Sequence, residues 1–182
     1  DVSYYVQPGS AIDREAQNRG TSVYLVDRTI PMLPEKLCNM VCSLRPDEEK
    51  LAFSVVFELN DNADVITQWI GKTVIKSNRR FAYEEVQAMI DGGDGDYKEE
   101  LMVLNKLAFA LRKKRMANGS INFHSEEVKF ILDENMKPID TFVKVQNEAN
   151  MLIEDFMLLA NKTVAESIGR KDSKYHGNTF VY

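Results

Sequence analysis

The chain has 182 residues, enough for one domain, and its 44% hydrophobic and 28% charged content is that of an ordinary globular protein. No stretch approaches the roughly 18 uncharged apolar residues that a membrane span needs, and the opening DVSYYV has neither the basic nor the apolar region of a secretory signal. A formal charge of −5 gives no global attraction for nucleic acid, although a local basic groove is compatible with an acidic whole.

In chain order, Val2 to Val6 reads as a short strand closed by Pro8-Gly9. Ser10 has N-cap chemistry with Asp13 three residues on, predicting a helix from Ala11 to Arg19 that Gly20 ends in the left-handed conformation. Thr21 to Val26 is β-prone, Pro31 to Leu33 is extended or turn-like, and Pro34 can open a short helix through Met40. Leu51 to Leu59 and Val65 to Ser77 form a hairpin about Asn60-Asp61-Asn62, the second strand interrupted near Gly71.

Tyr83 to Ile90 is helical, followed by the DGGDGD loop at 91–96 and a long helix from Tyr97 to Met116 with Leu101, Leu104, Leu107, Ala108 and Leu111 in a stripe. After Asn118-Gly119, Val128 to Leu132 and Ile139 to Val145 form a second hairpin around Glu134 to Pro138. The last helix, Asn147 to Ser167, is apolar over much of its circumference and so is expected to pack deeply. The class is α+β: β-hairpins and mixed sheet packed against long helices. A start at Asp1 on an apolar run and an end at TFVY predict cuts through longer β-rich sequence.

Candidate chemistry is sparse. DGGDGD fails as an EF-hand loop, since the fifth position from Asp94 is Lys98 and the third from Asp91 is Gly93. Cys38 and Cys42 are four apart, too few thiols for a structural zinc site, and His124 and His176 lie far away; buried reduced thiols in a cytoplasmic chain are expected. The run Arg112, Lys113, Lys114, Arg115 suits the negative end of a helix dipole, with phosphate contact as the alternative. Glu148 and Asp155, seven apart, share a helical face beside Glu154 and could bind a metal, although acidic side chains of this kind mostly face water. No nucleophile motif and no phosphate-cradling glycine loop is present. Asn118-Gly119-Ser120 and Asn161-Lys162-Thr163 match glycosylation sequons, without meaning in a cytosolic chain. Tyr24 and Trp69, the one tryptophan, have core packing as their ordinary fate and a stacking platform for bases as the alternative.

Ordered motifs through nearly the whole chain carry a resemblance. DVSYYVQPGSAIDREAQNRGTSVYLVDRTIPMLPEKLCNMVCSLRPDEEKLAF, then Ile75-Lys76-Ser77 with Arg80 and Tyr83, then NEANMLIEDFMLLAN from Asn147 to Asn161, resemble the ribonuclease II and ribonuclease R (RNB) exoribonuclease family, in its bacterial ribonuclease R-like form. The resemblance implies a single partial RNB catalytic domain over residues 1–182, truncated at both ends, from an enzyme that removes nucleotides from the 3′ end of single-stranded RNA with the help of Mg2+. It places the family's catalytic aspartates before Asp1 and its RNA-gripping arginine motif after Tyr182, so no catalytic or metal residue is assigned here, no cofactor is expected in the fragment, and the fragment is expected to be inactive.

RNA contacts implied by the resemblance are Tyr24, which matches the tyrosine of RGTSVY, and Trp69 (or Ile70 beside it), near an aromatic of the base stack, with Arg19, Ser77 and Arg80 as backbone contacts. Ile30 to Glu35 would fix loop geometry. The expected partner is RNA, with no membrane and with self-association of the isolated fragment through faces that its missing parts would cover. A non-catalytic RNA-binding or scaffold protein that retains this fold is the alternative, as is an unrelated structural α+β domain.

Overall fold

The computed structural model describes residues 1–121 and 127–169. Its elements run α1 (Val2–Tyr5), α2 (Ala11–Arg19), β1 (Val23–Tyr24), β2 (Thr29–Ile30), a π-helical turn (Lys36–Val41), β3 (Glu49–Leu59), β4 (Val65–Lys76), α3 (Tyr83–Ile90), α4 (Lys98–Ala117), β5 (Glu127–Leu132), β6 (Pro138–Lys144) and α5 (Glu148–Gly169). They divide into two compact units, residues 1–54, 72–80 and 125–145 in the first and 55–71, 81–124 and 146–182 in the second. The class is α+β. Strands pair as three two-stranded sheets among the described residues, and an isolated parallel bridge joins Pro46 and Ser77.

In the first unit, Val2 to Val6 departs from the expected strand. Its backbone bonds are local instead: Val6 N–H donates to Val2 O at 3.0 Å, and the Gln7 amide donates to Ser3 O and Tyr4 O, while the chain's amino group reaches Leu51 O on β3. The next helix follows its caps. Ser10 Oγ accepts from Asp13 N–H at 3.2 Å, and Gly20 takes φ +70°. The β-prone run beyond it pairs only at Val23↔Ile30 and Tyr24↔Thr29, because Leu25 N–H donates to Arg28 O and turns the chain. Pro34 O caps Leu37 and Cys38, and the turn that follows is π-helical and buries none of its residues fully. Cys38 is therefore exposed and Cys42 half-buried, not the buried thiols expected; both are free. Among the described residues of this unit Ala52 is the one buried apolar side chain.

In the second unit, α3, α4 and α5 pack on one another around Val86, Met89 and Ala149, with Phe81, Ile90 and Leu101 against them. Ala108 and Leu152 are also buried, so the stripe read on the long helix narrows to its smallest member. Gly92, at φ +107°, ends α3, and Gly93 lies so near Ala88 O that a Cβ would stand 2.7 Å from it; the DGGDGD loop is shaped by close backbone approach. β4 runs through Gly71 without a break. The indole of Trp69 lies over that glycine, where a Cβ would meet the ring at 2.5 Å, so Gly71 is there to make room.

Both long hairpins close on one device. Asn60 Oδ1 accepts from the backbone of Asn62 and Asp64 at 2.9 Å each, and Asp133 Oδ1 accepts from Asn135 at 2.8 Å and Lys137 at 2.9 Å. Ala63 N–H donates to Asn60 O and Met136 N–H to Asp133 O, with φ of +57° at Ala63 and +62° at Met136. The second turn thus starts at Asp133, one residue before the expected Glu134. A non-glycine residue in this region costs about 1 kcal/mol. Met136 is half-exposed and packs little, so Met136→Gly should stabilise the chain by up to about 1 kcal/mol in chemical denaturation; a destabilised variant would show that the strain is not there.

Candidate nucleic-acid interface

Each residue proposed to touch RNA has a definite local setting. Tyr24 stands on the two-residue strand β1, and its ring is 79% exposed because a ribbon so short covers neither face. The loops around it are tied by side chains: Ser22 Oγ accepts from Met32 N–H at 2.9 Å, and Arg19 donates to Glu15 at 2.9 Å and to Pro31 O at 3.1 Å. Arg19 therefore spends part of its fork on the Ile30 to Glu35 loop, which fixes the position of the tyrosine ribbon. The prolines contribute carbonyls as acceptors, consistent with a geometric role for that segment.

Ser77 closes the other side of the same unit. Its carbonyl accepts from Asp47 N–H at 2.8 Å and its hydroxyl donates to Arg79 O at 3.1 Å. Arg80, three residues on, is exposed. Lys50 ties the π-turn to β3 by donating to Met40 O at 2.9 Å and Glu48 at 2.6 Å, which, chiefly through that hydrogen bond, holds the Glu48 carboxyl below the usual range. Trp69 belongs to the second unit and is 51% exposed. Neither aromatic is buried in a core: Tyr24 is exposed, and Trp69 is half-exposed with its indole over Gly71.

The basic run on α4 is where sequence reasoning missed the main feature. Arg112 Nε donates to Asp155 Oδ2 at 2.9 Å, its other nitrogens reach Glu148 at 3.2 Å, and Arg115 Nη2 donates to Asp155 Oδ1 at 2.7 Å. Asp155 is 1% exposed at its side chain. Burial works against the charge of Arg112, but the hydrogen bonds to Glu148 and Asp155 outweigh it and raise its pKa. Lys114 takes Asp64 at 2.5 Å; that hydrogen bond, with one from Asn60, lowers the Asp64 pKa, so the pair persists as pH falls through the ordinary aspartate range and parts only below it. The run is not a free dipole partner: three of its four cations are engaged by acids, Arg115 through one N–H. The spacing of Arg112 to Arg115 and of Glu148 to Asp155 was visible, but nothing in a linear chain says which helix faces which.

These contacts also test the family's magnesium against the residues present. Both oxygens of Asp155 are taken by guanidinium groups, Glu148 is held by Arg112, and Glu154 accepts from the Gln146 amide at 2.7 Å. The α5 carboxylates do not fit a metal ion, and among the described residues no group of three or more His, Cys, Asp or Glu could hold one. His124 and His176 lie outside the described residues. No helix among the described residues is long and apolar enough to cross a membrane.

Against this geometry the comparisons are decisive on ancestry. The RNB domain model matches residues 1–177. The chain belongs to the RNB family. It is similar to DIS3-like exonuclease 2 of Schizosaccharomyces pombe, 44% identical over 189 residues covering 95% of this chain and 20% of that protein. It is also similar to the inactive exonuclease DIS3L2 of Arabidopsis thaliana, 39% identical over 186 residues covering 93% of this chain and 18% of that protein. Among solved structures, Mycoplasma genitalium RNase R in complex with ribose-methylated single-stranded RNA superposes with a TM-score of 0.84 at 29% identity, covering 90% of this chain and 26% of that one. The chain thus spans about a fifth of the length of these curated relatives. Identity is higher to the DIS3-like exonuclease than to the ribonuclease R of the solved structure.

Two substitutions rank the ionic contacts. Asp155→Ala strands two guanidinium groups in the helical unit and should cost about 3–5 kcal/mol. Arg115→Ala leaves Asp155 with Arg112 and should cost about 1–2 kcal/mol. Denaturant unfolding that reverses this order would refute the assignment of Asp155 as the shared anchor.

Proposed function

We propose that this chain is an internal part of the catalytic domain of a 3′-to-5′ exoribonuclease that degrades single-stranded RNA processively, using Mg2+ held by carboxylates outside these residues. The family match across residues 1–177 is the observation that carries it, together with likeness to a ribonuclease R solved with single-stranded RNA. The engagement of Asp155, Glu148 and Glu154 with nitrogen donors supports placing the metal elsewhere. The two compact units are read as halves of one interrupted RNB domain, since a single family match runs through both. The free thiols support a cytoplasmic setting.

In this reading Tyr24 stacks on a base near the RNA 3′ end and Trp69 offers a second stacking face, each contact contributing about 1–3 kcal/mol whatever the base. Arg80 contacts the RNA backbone, Arg19 acts there with its remaining donors, and Ser77 Oγ, whose own hydrogen goes to Arg79 O, accepts from a ribose hydroxyl. A non-catalytic RNA-binding parent is the second reading, favoured by the one observation that an inactive exonuclease shares 39% identity over the same segment.

Three arms separate these readings. The isolated chain should release no nucleotides from single-stranded RNA with Mg2+, and nucleotide release by it would contradict the placement of the metal. The longer protein should degrade RNA from its 3′ end; RNA binding without degradation would establish the second reading. Tyr24→Ala in the longer protein should weaken RNA binding about 5- to 100-fold, the equivalent of one lost stack, and unchanged binding would remove Tyr24 from the interface. The β5–β6 hairpin bears on self-association. Val128 pairs with Val143 and Phe130 with Thr141, and all seven residues of β6 are exposed. An uncovered apolar face of this kind is read as the route by which the isolated chain self-associates.

A further inference from the structure

We infer that the helical unit holds a small-molecule site of its own, a pocket at the C-terminal end of α4 that takes a phosphate ester joined to a flat, largely apolar body, the chemistry of a mononucleotide. This goes beyond the exoribonuclease reading and does not depend on it. The cavity measures about 480 Å³, inside the roughly 300–1,000 Å³ of ligand sites.

Two helical stripes make its walls. On α4 and its C-cap the lining residues fall at 111, 114, 115 and 118, and on α5 at 155, 158, 159 and 162. Both sets follow the i, i+3, i+4, i+7 pattern of one helical face. The division of labour within each stripe is the telling point. Leu111, Leu158 and Leu159 supply an apolar floor, while Arg115 and Lys162 supply cations beside it.

The cations are available in different degrees. Lys114 is engaged by Asp64 at 2.5 Å, which leaves Arg115 and Lys162 as the anion-binding pair. Arg115 spends one N–H on Asp155 at 2.7 Å and is held in place by it, with the rest of its fork uncommitted among the described residues. Among the described residues Lys162 meets exposed Glu166 at 3.8 Å, a contact too loose and too wet to compete with a phosphate.

Two features oppose an anion, and both are already offset. Asp155 lines the pocket, but each of its oxygens accepts from a guanidinium. The end of α4 is the negative pole of its dipole, yet its last carbonyls are capped: Asn118 N–H reaches Lys114 O and Arg115 O, Gly119 N–H reaches Met116 O, and Ser120 N–H reaches Arg115 O. The side chains of Asn118 and Ser120, also in the lining, add hydrogen-bonding groups for a sugar or phosphate.

The test is a titration of the full chain followed by the amide resonances of Asn118, Gly119 and Ser120, with AMP, adenosine, inorganic phosphate and a short oligoadenylate as probes. AMP should shift these amides saturably, with adenosine and phosphate each at least about tenfold weaker, since each keeps half of the recognition. Lys162→Ala, an exposed substitution that leaves the fold intact, should weaken AMP about tenfold, as loss of one charge-assisted contact does. Oligoadenylate binding at the same amides supports the site and names an RNA end as a source; binding of AMP alone supports it and names the free nucleotide. The proposal is overturned if neither AMP nor oligoadenylate moves these resonances, if adenosine or phosphate matches AMP, or if Lys162→Ala leaves the affinity unchanged.

Discussion

The carboxylate of Asp155 is the point on which the helical unit turns. A buried acid loses several kcal/mol of hydration, and here two guanidinium groups, reaching across from α4, recover it. Arg112 carries the bond further by holding Glu148, the first residue of α5, so the contact spans two turns of that helix instead of one point. The apolar packing of Val86, Met89 and Ala149 supplies adhesion without direction; the ionic contact supplies register, because Asp155 is satisfied in only one rotation of α5 against α4. The same contact decides what α5 cannot do. Carboxylates that accept from arginine are not available to a metal ion.

The two units are stabilised by different means. The helical unit has a core and an ionic lock. The other has scarcely any buried apolar side chain, and its order comes from polar ties: Ser22 to Met32, Arg19 to Pro31, Lys50 to Met40, and Asp47 to Ser77. Bonds of this kind contribute about 1 kcal/mol each and fix loops without burying area. That suits a surface whose work is to present groups. Tyr24 stands out from a ribbon too short to cover it, and the loop of Ile30 to Glu35 is strapped beneath it by Arg19.

Much of this was legible in the residues. Ser10, Asp13 and Gly20 announce α2 at both ends, and the turn residues at 60–62 locate the first long hairpin, because caps and turns are decided by neighbours in sequence. The ordered motifs from DVSYYV to EDFMLLAN carried the family. What failed depended on absent or distant partners. Val2 to Val6 has strand composition, but its backbone bonds close within the segment. Cys38 was expected to be buried, in a unit with scarcely any core to bury it. Arg112 and Asp155 lie 43 positions apart, and a charge read alone on a helix face looks solvated until the facing helix is known. The Asx-type closure repeated at Asn60 and Asp133 was half visible: the residue types were there, but the positive φ at Ala63 and Met136 is imposed by the ring of bonds, not by side-chain preference.

The account stands on the claim that Glu148 and Asp155 bind arginine and are not free to hold a metal ion. Paramagnetic broadening by Mn2+, used in place of Mg2+, tests it most directly, because the effect falls steeply with distance and reads every amide at once. Titrated into the full chain, Mn2+ should broaden exposed acidic sites weakly and evenly, with amides 148–155 no more affected than the rest. Saturable broadening centred on Glu148, Glu154 and Asp155 would contradict the account.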